Sequence, residues 1–281
     1  MGKFVLGFLT TLGFGLVLVA GNSIGVTCDS SLVACNVNPN PSDNACCVAT
    51  NGILVLAVQW LPGYCRAIKD RCSHNLLHRI PKRKFTIHGL WPDNCSGFQV
   101  SDCDPKRAYH DTAARIAESL IYDNMTANWV SYKGDKESDY NEFWGHEWAK
   151  HGTCYSLSDK KCVGNEKAAD VEKFFSDALY LSSKYNVYNA LENSQIIPSP
   201  TAIYKSEDIK NAITAEFGDL SIGLICKGPY LTEIRLGLIG TGGGDAKNGN
   251  IYLPSTCPRY GVVYASEHAD HPVQQPLVVI D

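Results

Sequence analysis

Hydrophobic residues in two parts of the chain fall into short runs that are typical of buried strands. Residues 53–60 read ILVLAVQW, and residues 84–91 read KFTIHGLW with Gly89 and Pro92 near the end of the run. We predict a strand in each. In the last third, the runs SIGLICK, LTEIRLGLIG and RYGVVYA are separated by glycine and proline turns, and they predict further short strands.

Four other segments are predicted to be helices: 109–122, 142–151, 166–185 and 206–217. Three of them repeat apolar residues at a period of 3.6, while 142–151 is a short helix that stops at Gly152. In the first segment the apolar face consists of Ala113, Ile116, Ala117, Leu120 and Ile121. This mixture predicts an α+β fold, a single disulfide-linked domain with a central antiparallel sheet and several packed helices.

The two ends of the chain differ from the middle. Residues 1–21 carry one cation, Lys3, and an apolar run of 17 residues followed by small residues, which predicts a secretory signal peptide. The alternative is a membrane anchor, although the run is at the short limit for crossing a bilayer. We predict a functional domain over 28–265 and a flexible tail over 266–281. No further segment is apolar enough to cross a membrane.

The cysteine content and the charge narrow the class of protein. Twelve cysteines, an even number, follow the signal and predict disulfides formed in an oxidising compartment, either outside the cell or in a vacuolar or lysosomal lumen. They do not form paired Cys-x-x-Cys knuckles, so structural zinc is a poor alternative. Asn94 and Asn124 begin glycosylation sequons. A net charge of -4 excludes a broad basic face, so any nucleic acid must bind in a local cleft.

The stretch FWGHEWAKHGTC places His146, Glu147, Lys150 and His151 within six residues. The zinc-binding motif His-Glu-x-x-His needs histidines four apart, about 40° around a helix, but these two are five apart and differ by about 140°. We therefore predict no metal. All four side chains line one side of the helix, and a lysine between two histidines suits an anion.

An anion between histidines indicates phosphoryl chemistry. RNA carries its own nucleophile, the 2′-hydroxyl, so one imidazole can accept that proton while a second donates to the leaving 5′-oxygen. His88, in FTIHGLWPDN, is the best candidate for the second imidazole. The alternative is that these are structural histidines and ordinary helix-surface pairs. No role is assigned to the histidines at 74, 78, 110, 268 and 271.

FTIHGLWPDN and FWGHEWAKHGTC together resemble the two active-site segments of the ribonuclease T2 family, secreted acid endoribonucleases of fungi, plants and other organisms. Weaker likeness runs through LAVQWLPGYC, IPSPTAIYKSEDIKNAI and CKGPYLTEIRLGL, so that the resemblance covers 28–265. It implies an α+β fold and cleavage of single-stranded RNA through a 2′,3′-cyclic phosphate to a 3′-phosphate, without metal or cofactor. DNA is not expected as a substrate, and a monomer is expected.

The resemblance also implies a role for each catalytic position. His151 would be the general base and His88 the general acid. His146 would hold the phosphate, while Glu147 and Lys150 would stabilise the pentacovalent state.

Base-binding positions follow from the same resemblance. Trp91 and Asp93 would stack on the base and hydrogen-bond to it, with Phe98, in GFQ, as an approximate substitute for a tyrosine platform. Gln59 and Phe143 complete the predicted base-binding set.

The cysteines match the pattern of the fungal members. The implied pairs are Cys28–Cys47, Cys35–Cys95, Cys46–Cys162, Cys103–Cys154 and Cys226–Cys257, with Cys65 and Cys72 left for a local bridge of the plant and animal type. Two other classes remain open at this point: a secreted binding or signalling protein on the same scaffold, and a metal-dependent nuclease or phosphatase. The second has too few acidic residues near the histidines for a two-metal site.

Overall fold

The computed structural model describes residues 28–36, 45–68, 72, 76 and 79–266. The predicted signal peptide and the predicted tail after Ser266 lie outside the described residues. Within the described part of the chain, no helix combines the length and apolar character needed to cross a membrane.

An antiparallel sheet forms the centre of the fold. Its strands are β1 Ile53–Gln59, β2 Thr86–Asp93, β3 Ile222–Lys227, β4 Tyr230–Gly240 and β5 Ala246–Asn248. The order is β2-β1-β4-β3, with β5 paired to β4, and every pairing is antiparallel. All seven residues of β1 are buried, as expected for a strand with a neighbour on each edge.

Helices pack against this sheet, and the predicted α+β class is confirmed. In chain order they are α1 Leu61–Ile68, α2 Thr112–Ile116, α3 Tyr122–Asn128, α4 Glu137–Lys150, α5 Lys160–Val163, α6 Ala169–Lys184, α7 Val187–Asn193 and α8 Ser206–Phe217. The core between sheet and helices contains large, fully buried aromatic side chains, among them Trp60, Trp129, Trp144, Trp148 and Phe174.

The single helix predicted over 109–122 is wrong. The chain forms α2 and α3 instead, joined by turns that are closed by hydrogen bonds from Ser119 N to Ile116 O and from Tyr122 N to Ser119 O. Leu120, placed on the predicted apolar face, is 92% exposed. The turn allows Ile116 and Met125 both to reach the core, which a straight helix would not, so tertiary packing overrides the local period.

Other boundaries also differ from the prediction. Helix α4 begins at Glu137, five residues before the predicted start, and Asp139 accepts a hydrogen bond at its N-terminus from the backbone of Lys136. The run RYGVVYA forms isolated bridges, such as Tyr204 with Val262, and not a regular strand. The bounds of α8 agree with the prediction.

Six disulfides cross-link the domain. They join Cys28–Cys47, Cys35–Cys95, Cys46–Cys162, Cys65–Cys72, Cys103–Cys154 and Cys226–Cys257. These are the same pairs that the resemblance implied. The Cys103–Cys154 bridge closes only three residues after His151, so it anchors the chain that leaves the end of α4.

Candidate active site

His88 lies at an irregularity in β2. Ile87 pairs with Val58 and Gly89 with Ala57, so His88 has no partner on β1 and forms a bulge. Bulges of this kind redirect a side chain and are frequent near active sites. The buried indole of Trp129 donates a hydrogen bond to the His88 carbonyl at 3.0 Å, which holds the backbone of the bulge.

Gly89 allows two functional side chains to approach the strand. A Cβ atom at this position would overlap both Glu147 Oε2 and Trp91 Nε1. The absence of a side chain at Gly89 therefore lets the end of α4 and the β2 tryptophan meet directly over the sheet.

Helix α4 and His151, the residue that follows it, bring the four polar residues of FWGHEWAKHGTC to the same region at different depths. Glu147 and His151 are buried, Lys150 is half-buried and His146 is exposed. The rings of His146 and His151 lie 6.5 Å apart. Within the described chain, no carboxylate lies within the 4.0 Å of Lys150 Nζ that an ion pair requires.

Glu147 lies between Trp91 and His88. Its Oε2 atom accepts a hydrogen bond from Trp91 Nε1 at 3.0 Å, and its Oε1 atom lies 3.8 Å from His88 Nε2. Burial raises the pKa of Glu147 to about 7, because desolvation outweighs the opposing effects of His88, Trp91 and Lys150. The carboxyl group is therefore protonated in acidic solution.

A buried carboxylate on β4 is the partner of His88. The Nδ1 atom of His88 lies 2.5 Å from Glu233 Oε2, and Arg235 Nε donates to Glu233 Oε1 at 2.6 Å. Burial opposes a positive charge on His88, but the hydrogen bond and charge of Glu233, with the charge of Glu147, outweigh it and raise the pKa of His88. The Arg235 guanidinium lies 4.9 Å from the Trp91 ring centroid, so this network also supports the indole.

The second imidazole has the opposite electrostatic environment. His151 is only 3% exposed, and its ring is stacked on Trp91 with centroids 5.4 Å apart. Burial, followed by the nearby charges of Lys150, His146 and His88, lowers the pKa of His151 to about 3. His151 is therefore neutral over most of the pH range in which His88 is charged.

The site thus offers a proton donor and a proton acceptor whose rings both contact Trp91. Lys150 supplies a positive charge beside them. Among the described residues there is no cluster of three or more His, Cys, Asp or Glu side chains arranged to hold a metal ion.

The predicted base-binding residues lie at two places. Trp91 and Asp93 end β2, and Asp93 accepts a hydrogen bond from the Val100 backbone while its buried Oδ1 atom has no partner among the described residues. Phe98 follows in a turn and is 70% exposed. Gln59 and Phe143 instead line a cavity on the other side of His88.

The chain from 51 to 252 matches a family model described as the Ribonuclease T2 family. This segment includes both histidine segments and all five strands. The chain belongs to the Ribonuclease T2 family. The family expected from the two motifs is confirmed.

Individual T2 relatives match much of the chain. Ribonuclease Rh from Rhizopus niveus is 34% identical over 226 residues, which are 79% of this chain and 85% of that protein. Ribonuclease Trv from Hypocrea rufa is 38% identical over 163 residues, 55% of this chain and 65% of that protein. The crystal structure of Actibind, a T2 ribonuclease described as an antitumorigenic agent, has a TM-score of 0.72 at 27% identity, covering 85% of this chain and 98% of that one.

The T2 motifs did not point to Glu233 and Arg235, and sequence reasoning missed both. A signal was present, because LTEIRLGLIG places two charged residues in an otherwise apolar strand. A charge buried in a sheet requires a partner, and that requirement alone would have singled them out.

The two predicted glycosylation positions of this T2 chain differ in their surroundings. Asn94 Oδ1 accepts hydrogen bonds from the backbones of Ser96 and Phe98, at 3.0 Å each, and so holds the turn after β2. Asn124 is exposed on α3, where Asn128 Nδ2 contacts its side chain.

Proposed function

We propose that the protein is a metal-independent endoribonuclease that cleaves single-stranded RNA through a 2′,3′-cyclic phosphate to 3′-phosphate products. The observation that supports this most directly is the pair of imidazoles with opposite charge preferences. His88 is favoured in its protonated form by Glu233, and His151 is favoured in its neutral form by burial and nearby cations. A displacement that needs an acid and a base together requires that combination.

In the first step, His151 accepts the proton of the 2′-hydroxyl while that oxygen forms a bond to phosphorus. The bond from phosphorus to the 5′-oxygen breaks, and His88 donates its proton to the leaving oxygen. In the second step, water takes the place of the leaving nucleoside, and its oxygen forms a bond to phosphorus while the bond from phosphorus to the 2′-oxygen breaks. His88 accepts a proton from this water, and His151 returns its proton to the 2′-oxygen, which leaves a 3′-phosphate.

Three residues of α4 meet the charge of the phosphate. Lys150 and His146 provide donors beside the two imidazoles, and Lys150, which has no carboxylate partner in the described part of the chain, is available for phosphate oxygens. Glu147 has one oxygen occupied by Trp91 and the other directed toward His88. In acidic solution its carboxyl is protonated, so it can donate a hydrogen bond to a phosphate oxygen as negative charge develops there.

The bases on the two sides of the phosphate occupy different places. Trp91 provides a stacking face and the unpartnered Oδ1 of Asp93 an acceptor for an exocyclic amine on one side, with exposed Phe98 as a platform that can close over the base. Gln59 and Phe143 receive the base on the other side, next to His88.

The complete set of five catalytic side chains favours an RNA-cleaving enzyme over a binding protein on the same scaffold. Six disulfides and the predicted signal peptide support secretion or delivery to a vacuolar or lysosomal lumen. We expect a monomer that acts on RNA and not on DNA, glycosylated at Asn94 and Asn124.

The test uses the purified protein and two oligonucleotides in the presence of EDTA. One is RNA, and the other is identical except for a single 2′-deoxy nucleotide on the 5′ side of one linkage. We expect cleavage of the RNA, with a 2′,3′-cyclic phosphate appearing before the 3′-phosphate, and no cleavage at the modified linkage. A requirement for divalent metal, or 5′-phosphate products, would contradict the proposal.

A further inference from the structure

A cavity of about 210 Å³ extends from His88 across the sheet. It crosses four strands, because its lining residues come from β2, β1, β4 and β3 in that spatial order. Its floor includes Gln59, Glu233 and Ile225, which are register partners on adjacent strands. Three spacings of about 4.8 Å separate β2 from β3, so the cavity spans roughly 14 Å.

The far end of the cavity carries two tyrosines and a lysine. The rings of Tyr64 and Tyr132 lie 5.3 Å apart, and Lys227 Nζ lies 4.9 Å from the centroid of the Tyr64 ring. Lys227 is exposed at the end of β3. Among the described residues, no carboxylate forms an ion pair with it.

The carboxylate in the cavity does not compete for this lysine. Both oxygens of Glu233 are occupied, one by His88 and the other by Arg235. Lys227 is therefore a cation at the rim of a groove that has no ion-paired carboxylate among the described residues, and its ammonium group lies over the Tyr64 ring.

The direction of the RNA through the cavity follows from the proposed function, on which this inference rests. His88 protonates the 5′-oxygen of the leaving nucleoside, so that nucleoside lies on the side of the site that His88 lines. Its base enters the cavity beside Phe143 and Gln59. Its 3′-oxygen, and any phosphate attached to it, then points away from His88 toward β3.

We propose that Lys227 binds the phosphate on the 3′ side of the leaving nucleoside, one linkage beyond the scissile bond. Tyr64 holds the ammonium group in position by a cation–π contact, and Tyr132 completes the wall beside the sugar. The site recognises one further anionic group of the substrate, so it favours oligonucleotides over dinucleoside monophosphates.

The test compares ApA with ApAp, which differs only in a 3′-terminal phosphate. We expect the wild type to cleave ApAp with a kcat/KM about two- to fivefold higher than that for ApA at low salt, as for an exposed ion pair. Lys227→Met keeps the stem but removes the charge, and it should bring this ratio close to one while leaving the kcat/KM for ApA unchanged. At 1 M salt the wild-type ratio should also approach one, because the Debye length falls to about 3 Å.

Lys247→Met is the matched control. Lys247 is exposed on β5 opposite Ile239, whereas Lys227 lies opposite Tyr230, about 30 Å away along β4. This variant should retain the wild-type ratio.

A wild-type ratio of one, or an unchanged ratio in Lys227→Met, would overturn the inference while leaving the ribonuclease proposal intact. Failure of the wild type to cleave either substrate would instead overturn the proposed function, and this inference with it.

Discussion

The Nδ1 atom of His88 lies 2.5 Å from Oε2 of Glu233, a residue 145 positions later in the chain. The two residues are on β2 and β4, which are separated by β1. Glu233 thus contacts Nδ1 of His88, the proposed acid. The proton that His88 would donate to the substrate is carried by the other ring nitrogen, Nε2. Glu233 raises the pKa of His88 and orients the imidazole so that Nε2 faces Glu147.

Replacing Glu233 with Gln should shift the basic limb of the kcat/KM profile to lower pH, because His88 then loses the negative charge that favours its protonated form. The loss at the optimum should be smaller than the roughly 10² to 10⁴ expected for removing the acid itself. Glu192→Gln is the control, since Glu192 pairs with Arg83 on the surface. A uniform loss without any movement of the basic limb would mean that Glu233 is only structural.

The dependence of kcat/KM on pH should be bell-shaped with an acidic optimum. Below a pH of about 3, His151 gains a proton and can no longer accept one. Above the raised pKa of His88 the acid has lost its proton, and ionisation of Glu147 near pH 7 adds a negative charge beside the phosphate. Initial rates on a short RNA between pH 2 and pH 9 test this, and a rate that still climbs at pH 9 would contradict it.

Replacing either catalytic imidazole by Phe should lower activity by about 10² to 10⁴, because each takes part in proton transfer. His88→Phe and His151→Phe are compared with His110→Phe, which changes an exposed histidine. Circular dichroism of each variant checks that it is folded. Near-normal RNA cleavage by His88→Phe would show that His88 is not the general acid.

Substitutions of Lys150 and His146 on α4 should have different effects on kcat and KM. Lys150→Ala should lower kcat more than it raises KM, since Lys150 meets charge that grows in the transition state, while His146→Ala should also weaken substrate binding. Lys161→Ala, at an exposed lysine on α5, should change neither constant by much. A pure KM effect in Lys150→Ala would indicate ground-state binding of phosphate.

Asp93 should discriminate between bases. Its buried, unpartnered Oδ1 atom can accept a hydrogen bond from the exocyclic amine of adenine, which uracil lacks. In Asp93→Asn the ratio of kcat/KM for ApU to that for UpU should fall several-fold. Stacking on Trp91 is worth about 1 to 3 kcal/mol for any base and should persist. An equal loss of kcat/KM on both substrates would mean that Asp93 does not select the base and only stabilises the turn through its hydrogen bond to Val100.

Local sequence patterns predicted the parts of the fold that depend on local periodicity. Helix α8 agrees with its prediction at both ends because its apolar period is uninterrupted from Ser206 to Phe217. Residues 109–122 show the limit of this reasoning. The same period is present there, but the chain turns at Ser119 to bury Met125, and that choice depends on the shape of the core rather than on neighbouring residues.

The residues of the site also divide into those that local sequence predicts and those that it does not. His146, Glu147, Lys150 and His151 are close in sequence, so helical geometry alone brings them together. Glu233 and the cavity that ends at Lys227 depend on which strands become neighbours. Strand order is a non-local property that no spacing in this chain reveals.

The position of β4 late in the chain also determines when during synthesis the site becomes complete. Both histidine segments have been made once residue 154 is added, but β4 is among the last strands to emerge. A nascent or prematurely terminated chain that lacks β4 carries both histidines without the carboxylate that charges one of them. Because β4 also lies between β1 and β3 in the sheet, the sheet and the site are completed together.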